Sequence, residues 1–147
     1  MLRGSRLLIV DDGSLVLTLL SRLATSRLEQ VLVETADSPY IALDRIKTNA
    51  YDAVVSDAPM PGMNGFDLAS RIGTINPFTS IVLISGALEH SEWASSCNIV
   101  AFLEKPIDSD LFLRTVSKAM ENSRAQRLAA EQTKAVELAL YPHCYGD

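Results

Sequence analysis

Five short apolar runs constrain this chain more than anything else in it. They are "RLLIV" (6–10), "QVLVET" (30–35), "DAVVS" (52–56), "SIVLIS" (80–85) and "IVAFL" (99–103), and several are apolar at consecutive positions. A strand with one wet face alternates polar and apolar residues, whereas a strand covered on both faces does not. Between the runs the spacing changes to that of helices. Val16, Leu19, Leu20 and Leu23 form one stripe; Ile41, Leu43 and Ile46 form another. Phe66, Leu68, Ala69 and Ile72 make a third, and Leu111, Phe112, Leu113, Val116 and Met120 the last. A short, weak helix is expected over 88–96. Ser38 before Pro39, then Asn64, then Asp108, stand where helix caps belong. Strand then helix, five times over, predicts an α/β fold with a doubly wound five-stranded parallel sheet and helices on both faces.

The length of 147 residues suits one such domain. It is expected over 1–121, with 122–147 as a helical extension or linker. The segment "SRAQRLAAEQTKAVELAL" is rich in helix formers, but Leu128, Ala135 and Leu138 make too thin a seam for a coiled coil. A net charge of −5 argues against a general nucleic-acid binder. No apolar run approaches the roughly 18 to 20 residues of a membrane span. Arg3 and Arg6 precede "LLIV" as in a signal peptide, but Asp11 and Asp12 end that run too soon. The expected location is therefore the cytoplasm. Cys97 and Cys144 read as two separate reduced thiols, and His90 and His143 are too isolated to hold zinc.

In a doubly wound sheet, ligands bind beyond the carboxyl ends of the strands, where the strand order reverses. Asp11 and Asp12 follow the first run, Asp57 the third, Ser85 ends the fourth, and Lys105 follows the fifth. In the flavodoxin-like order 2-1-3-4-5 all five residues share one rim. Taken singly, each is an ordinary turn residue; four strand ends with suitable residue types are a stronger signal. Three crowded carboxylates repel one another unless a cation joins them. Mg²⁺ suits oxygen ligands and keeps positions open for water or phosphate. Lys105 and Ser85 would then cradle a phosphoryl group, with Asp57 as the nucleophile.

The motifs "LLIVDD", "SDAPMPGMNG", "VLISG" and "AFLEKP" resemble those of the receiver domain of two-component response regulators, including the chemotaxis regulators, over residues 5–121. The resemblance implies that Asp57 is the phosphoacceptor and that Mg²⁺ is held by Asp57, by Asp12 directly and by Asp11 through water. It adds the backbone carbonyl of Pro59 as a ligand, which proline retains. It gives Ser85 and Phe102 the roles of hydroxyl and aromatic switch residues, and Lys105 that of the site lysine. The donor it implies is a histidine kinase or a histidine phosphotransfer protein. The chain would catalyse only its own phosphorylation and dephosphorylation, and would respond through its fourth helix, fifth strand and fifth helix. That surface, or the C-terminal helix, would serve any homodimer.

Some residues depart from the family pattern. The interval from Ser85 to Lys105 is short, so the helix over 88–96 is expected to be reduced. Gly13 is expected to loosen the start of the first helix. Pro59 and Ala87 cannot orient a hydrolytic water. Three other functions fit less well. A haloacid dehalogenase-type phosphatase needs an acid where Pro59 stands, and a flavin module needs N–H donors where "DDGSL" brings acids. A degenerate receiver would not keep the full residue set. Residues 122–147 cannot hold a helix-turn-helix, so the output is either protein contact or an effector in a longer chain.

Overall fold

The computed structural model describes residues 4–86 and 98–140. Its elements run β1 (Ser5–Val10), α1 (Ser14–Arg27), β2 (Val31–Ala36), α2 (Pro39–Thr48), β3 (Ala53–Asp57), α3 (Gly65–Ile75), β4 (Ser80–Ser85), β5 (Ile99–Glu104) and α4 (Ser109–Leu140). The expected helix over 88–96, with Ala87 and Trp93, lies outside the described residues, as do Cys97, Cys144, His90 and His143. The strands form one parallel sheet in the order β2-β1-β3-β4-β5. This is the order expected from the sequence.

The apolar runs earn their continuity. Every residue of β3 is buried, and so is every residue of β4 up to Ile84. Alternate residues of β1 serve opposite faces. Leu8 and Val10 join Ala42, Leu43 and Ile46 of α2 and Leu68, Ala69 and Ile72 of α3. Leu7 and Ile9 join Leu17, Leu20 and Ala24 of α1 and Phe112, Val116 and Met120 of α4. The edge strand β2 is only partly covered and carries Glu34 inside its apolar run.

Caps fall where the sequence puts them. Ser38 Oγ accepts the N–H of Tyr40, Asn64 Oδ1 that of Asp67, and Asp108 Oδ2 that of Leu111. Gly13 stands at the start of α1 with extended backbone and no capping side chain. It is nonetheless held at both ends, because its N–H donates to Asp11 Oδ1 at 2.8 Å and its carbonyl accepts from Leu17. Strand limits move by one residue. Gln30 adopts φ 58°, outside strand geometry, so β2 starts at Val31. Asp57 is the last residue of β3 rather than the first beyond it. In β5 the register skips Val100, pairing Ile81 with Ile99 and Val82 with Ala101. At the far end, α4 continues without a break through position 121 to Leu140. None of the helices described is long and apolar enough to cross a membrane.

Candidate functional site

The strand order brings the predicted rim residues together. Asp11 follows β1 and Asp57 ends β3; they are 4% and 5% exposed. Asp12 is open to solvent. One carboxylate oxygen from each of the three lies within 4.8 Å of the others. Lys105, just beyond β5, brings Nζ to 2.9 Å from Asp57 Oδ1. This is an ion pair outside hydrogen-bond angles, so Oδ1 has no hydrogen-bond donor among the described residues. The N–H of Lys105 donates to the carbonyl of Ser85 at 3.0 Å, which ties the ends of β4 and β5 together. The next peptide, Lys105–Pro106, is cis. Ser85 sits one residue beyond Ile84, the register partner of Asp57. Phe102 lies on the α3 face of β5, its ring 6.0 Å from that of Phe66 and tilted by 39°.

The electrostatics are those of a site short of positive charge. Burial, above all, raises the Asp11 carboxyl above its ordinary value of 3.8, and the charges of Asp57 and Asp12 add to this. The Gly13 N–H and the Lys105 ammonium oppose it without cancelling it. Among the described residues, one ammonium therefore faces three carboxylates. The donor set is all oxygen, and among the described residues the buried Oδ1 of Asp57 has only its ion pair with Lys105. A hard divalent ion such as Mg²⁺ fits these residues, and a soft ion does not.

The loop between Asp57 and α3 is held along its length. Ala58 donates to the carbonyl of Ile84 at 2.8 Å, and its own carbonyl accepts from Gly65 at 2.7 Å. Met63 is buried, and Met60 packs on the core. Gly62 adopts φ 84° with the phenol of Tyr40 across it; a Cβ there would stand 2.8 Å from the Tyr40 oxygen. Gly65 is more tightly constrained. A Cβ on it would lie 2.6 Å from the carbonyl oxygen of Asp57 and 3.0 Å from Ala58 Cα. Sequence reasoning singles out neither Gly65 nor Tyr40. "NGF" reads as a cap and helix start, and Tyr40 falls outside the apolar stripe of α2.

The profile of the response regulator receiver domain family matches residues 7–117. Among curated proteins, the transcriptional regulatory protein GlrR of Escherichia coli K12 is 31% identical over 123 residues, covering 82% of this chain and 27% of that protein. A protein-glutamate methylesterase/protein-glutamine glutaminase of Bdellovibrio bacteriovorus is 33% identical over 119 residues, covering 78% of this chain and 34% of that protein. The chain thus spans about a third or less of the length of these relatives. Among solved structures, the signal receiver domain of an HD domain-containing protein from Pseudomonas fluorescens Pf-5 superposes with a TM-score of 0.78. It is 25% identical, covering 86% of this chain and 94% of that one. A CheY-like response regulator receiver domain protein from Methanospirillum hungatei JF-1 has the same fold, with a TM-score of 0.73 and 18% identity over 83% of this chain and 98% of that one.

Proposed function

The chain belongs to the response regulator receiver domain family, and on that premise we propose that it is a signalling switch set by phosphorylation of Asp57. The observation that carries the assignment is the placement of Lys105 Nζ 2.9 Å from Asp57 Oδ1, on a rim shared with Asp11 and Asp12. The donor is a histidine kinase or a histidine phosphotransfer protein. An oxygen of Asp57 attacks the phosphorus of the phosphohistidine; the new O–P bond forms as the P–N bond breaks, and imidazole leaves. Asp57 is largely shielded from water and fixed by the β3–β4 ladder, so it meets the phosphorus already oriented. Lys105 neutralises a phosphoryl oxygen, and Ser85 donates a hydrogen bond to another. Asp12, Asp57 and the Pro59 carbonyl would hold Mg²⁺ directly, and Asp11 would hold it through water. Bound there, the ion would offset the charge that builds up on the phosphoryl oxygens.

The donor protein would dock over α1. A groove of about 550 Å³ runs beside Lys105, lined by Val16, Leu19, Leu20, Leu23, Pro106 and Ile107. Leu19 in its lining is 57% exposed. In this reading the receiver occupies roughly 1–121 and works in the cytoplasm. It acts through protein contact rather than on nucleic acid, and catalyses only the gain and loss of its own phosphoryl group. Phe102 would carry the signal from Ser85 to β5 and its flanking helices.

Intact mass spectrometry after incubation with acetyl phosphate and Mg²⁺ tests the assignment. One phosphoryl mass is expected, and it should vanish with EDTA or with Asp57→Asn. Labelling that survives Asp57→Asn would remove Asp57 from the role.

A further inference from the structure

The core-facing stretch of α4 runs from Phe112 to Met120. The next turn is polar, yet it faces the protein rather than water. Ser123 is fully buried, and its hydroxyl donates to the carbonyl of Phe78 at 2.5 Å. Asn122 Nδ2 donates to Ser80 Oγ at 3.3 Å. Arg127 Nη1 stands 3.3 Å from Asp52 Oδ1. Asp52 is 5% exposed, and its other oxygen accepts the N–H of Arg6 at 2.8 Å. The Arg127 side chain is 34% exposed, but its Nη2 is buried, so one edge of the guanidinium is turned in towards Asp52. Ser123 and Arg127 are four positions apart and share a helix face.

Where these contacts land matters. Asp52 immediately precedes β3, and Ser80 begins β4. The two are joined by the N–H of Ser80 donating to the carbonyl of Asp52 at 3.0 Å. The opposite ends of the same two strands carry Asp57 and Ser85. Beyond Arg127, every residue of α4 from 128 to 140 is exposed. A helix of that length, exposed at every residue, is marginal alone in water, because nucleation is unfavourable. It persists only as the continuation of a helix already held.

We propose that Asn122, Ser123 and Arg127 form a clamp that fixes α4 to the starts of β3 and β4. Residues 128–140 then leave the domain as a rigid helical arm, moving as one body with the strands that carry the phosphoacceptor and the switch hydroxyl. Whatever the arm engages is held at a set angle to the receiver, not on a flexible tether. The clamp stands on the tail contacts alone; its meaning for signalling rests on the function proposed for Asp57.

Hydrogen exchange read by mass spectrometry on the full chain tests it. In the unsubstituted protein, amides 128–136 should exchange at least about tenfold slower than an unstructured peptide. The double variant Ser123→Ala/Arg127→Ala should lose that slowing while β3 and β4 stay protected. Should the double variant disturb the sheet, Asp52→Asn serves instead. It keeps an oxygen for the Arg6 N–H, removes the ion pair, and should speed arm exchange severalfold. Lys134→Ala, on the exposed arm, should change nothing. An arm that exchanges at the unstructured rate in the unsubstituted protein overturns the clamp. So does unchanged protection in the variants. Acetyl phosphate labelling of the same samples separates the two proposals. Failure to label Asp57 defeats the switch, and leaves the arm measurement standing.

Discussion

Gly65 shows how little room the site has at the scale of one residue. Its missing side chain lets the first turn of α3 press against the carbonyl of Asp57, with Leu83 Cδ2 on the other side. Two of the three nearest atoms are backbone and cannot swing aside. Gly65→Ala gains some helix propensity, at most about 1 kcal/mol. Overpacking costs about 1–3 kcal/mol, and the rigid neighbours put the loss at the upper end. Urea melts should show the variant net destabilised by about 1–2 kcal/mol, with slower labelling of Asp57. A variant as stable as the parent would mean that the loop yields easily. Sequence makes Asp11, Asp12, Asp57 and Lys105 legible, because each is a charged residue at the end of an apolar run. It hides Gly65, since a glycine required by close approach looks the same in sequence as one that merely turns the chain. Tyr40 is hidden for a related reason, as its contact is with a residue that has no side chain.

At the scale of an element, β2 needs more than apolar burial to stay on the sheet. It is an edge strand with one neighbour, and Glu34 sits in the middle of it. Arg6 of β1 donates to Glu34 Oε1 at 2.6 Å, and the Tyr51 hydroxyl donates to Oε2 at 3.1 Å. Arg45 of α2 adds a longer contact at 3.3 Å, and the Arg6 guanidinium lies 5.2 Å from the centre of the Tyr51 ring. One carboxylate therefore joins β1, β2, α2 and the start of β3. The hydrogen bond from Arg6, first of all, holds the Glu34 carboxyl below its ordinary value of 4.5; burial opposes it, and Tyr51 and the charges of Arg6 and Arg45 reinforce it. A carboxyl depressed in the folded state stabilises above its unfolded value and loses that contribution as pH falls through the folded one. Glu34→Gln should cost about 1–2 kcal/mol at pH 7, Arg45 adding little because it is well exposed. The gap between parent and variant should shrink as denaturant melts are moved from about pH 5 towards pH 3. A gap that stays constant with pH would assign the loss to shape and not charge. Sequence shows the strand but not this link, because the four side chains are far apart in the chain. The same limit applies to the tail. Periodicity finds α4 as far as Met120, but Ser123 and Arg127 hold the next turn through polar contacts that leave no apolar stripe to read.

At the scale of the whole molecule, one choice of strand order does most of the work. Placing β1 between β2 and β3, with β4 and β5 beyond, puts the ends of β1, β3, β4 and β5 on one rim; apolar periodicity and the motifs make this legible in the sequence. On the function proposed for Asp57, the same order separates cause from response. Asp57 and Lys105 form the charged centre, whereas Phe102 lies inside the α3 face of the core, against Phe66. Ser85 is the candidate link, because its carbonyl accepts from Lys105 and its strand pairs with both β3 and β5. A new phosphoryl group can bias the sheet's far edge only through a contact that differs between the two states. Ser85→Ala removes the hydroxyl but keeps the carbonyl, and so separates accepting the phosphoryl group from responding to it. Mass spectrometry should find Asp57 still labelled in this variant, with only a modest loss of rate. Hydrogen exchange over 98–104 should change on phosphorylation in the parent and far less in Ser85→Ala. If both proteins respond equally, the signal reaches β5 through Lys105 and its backbone bond to Ser85, and the hydroxyl is not the link.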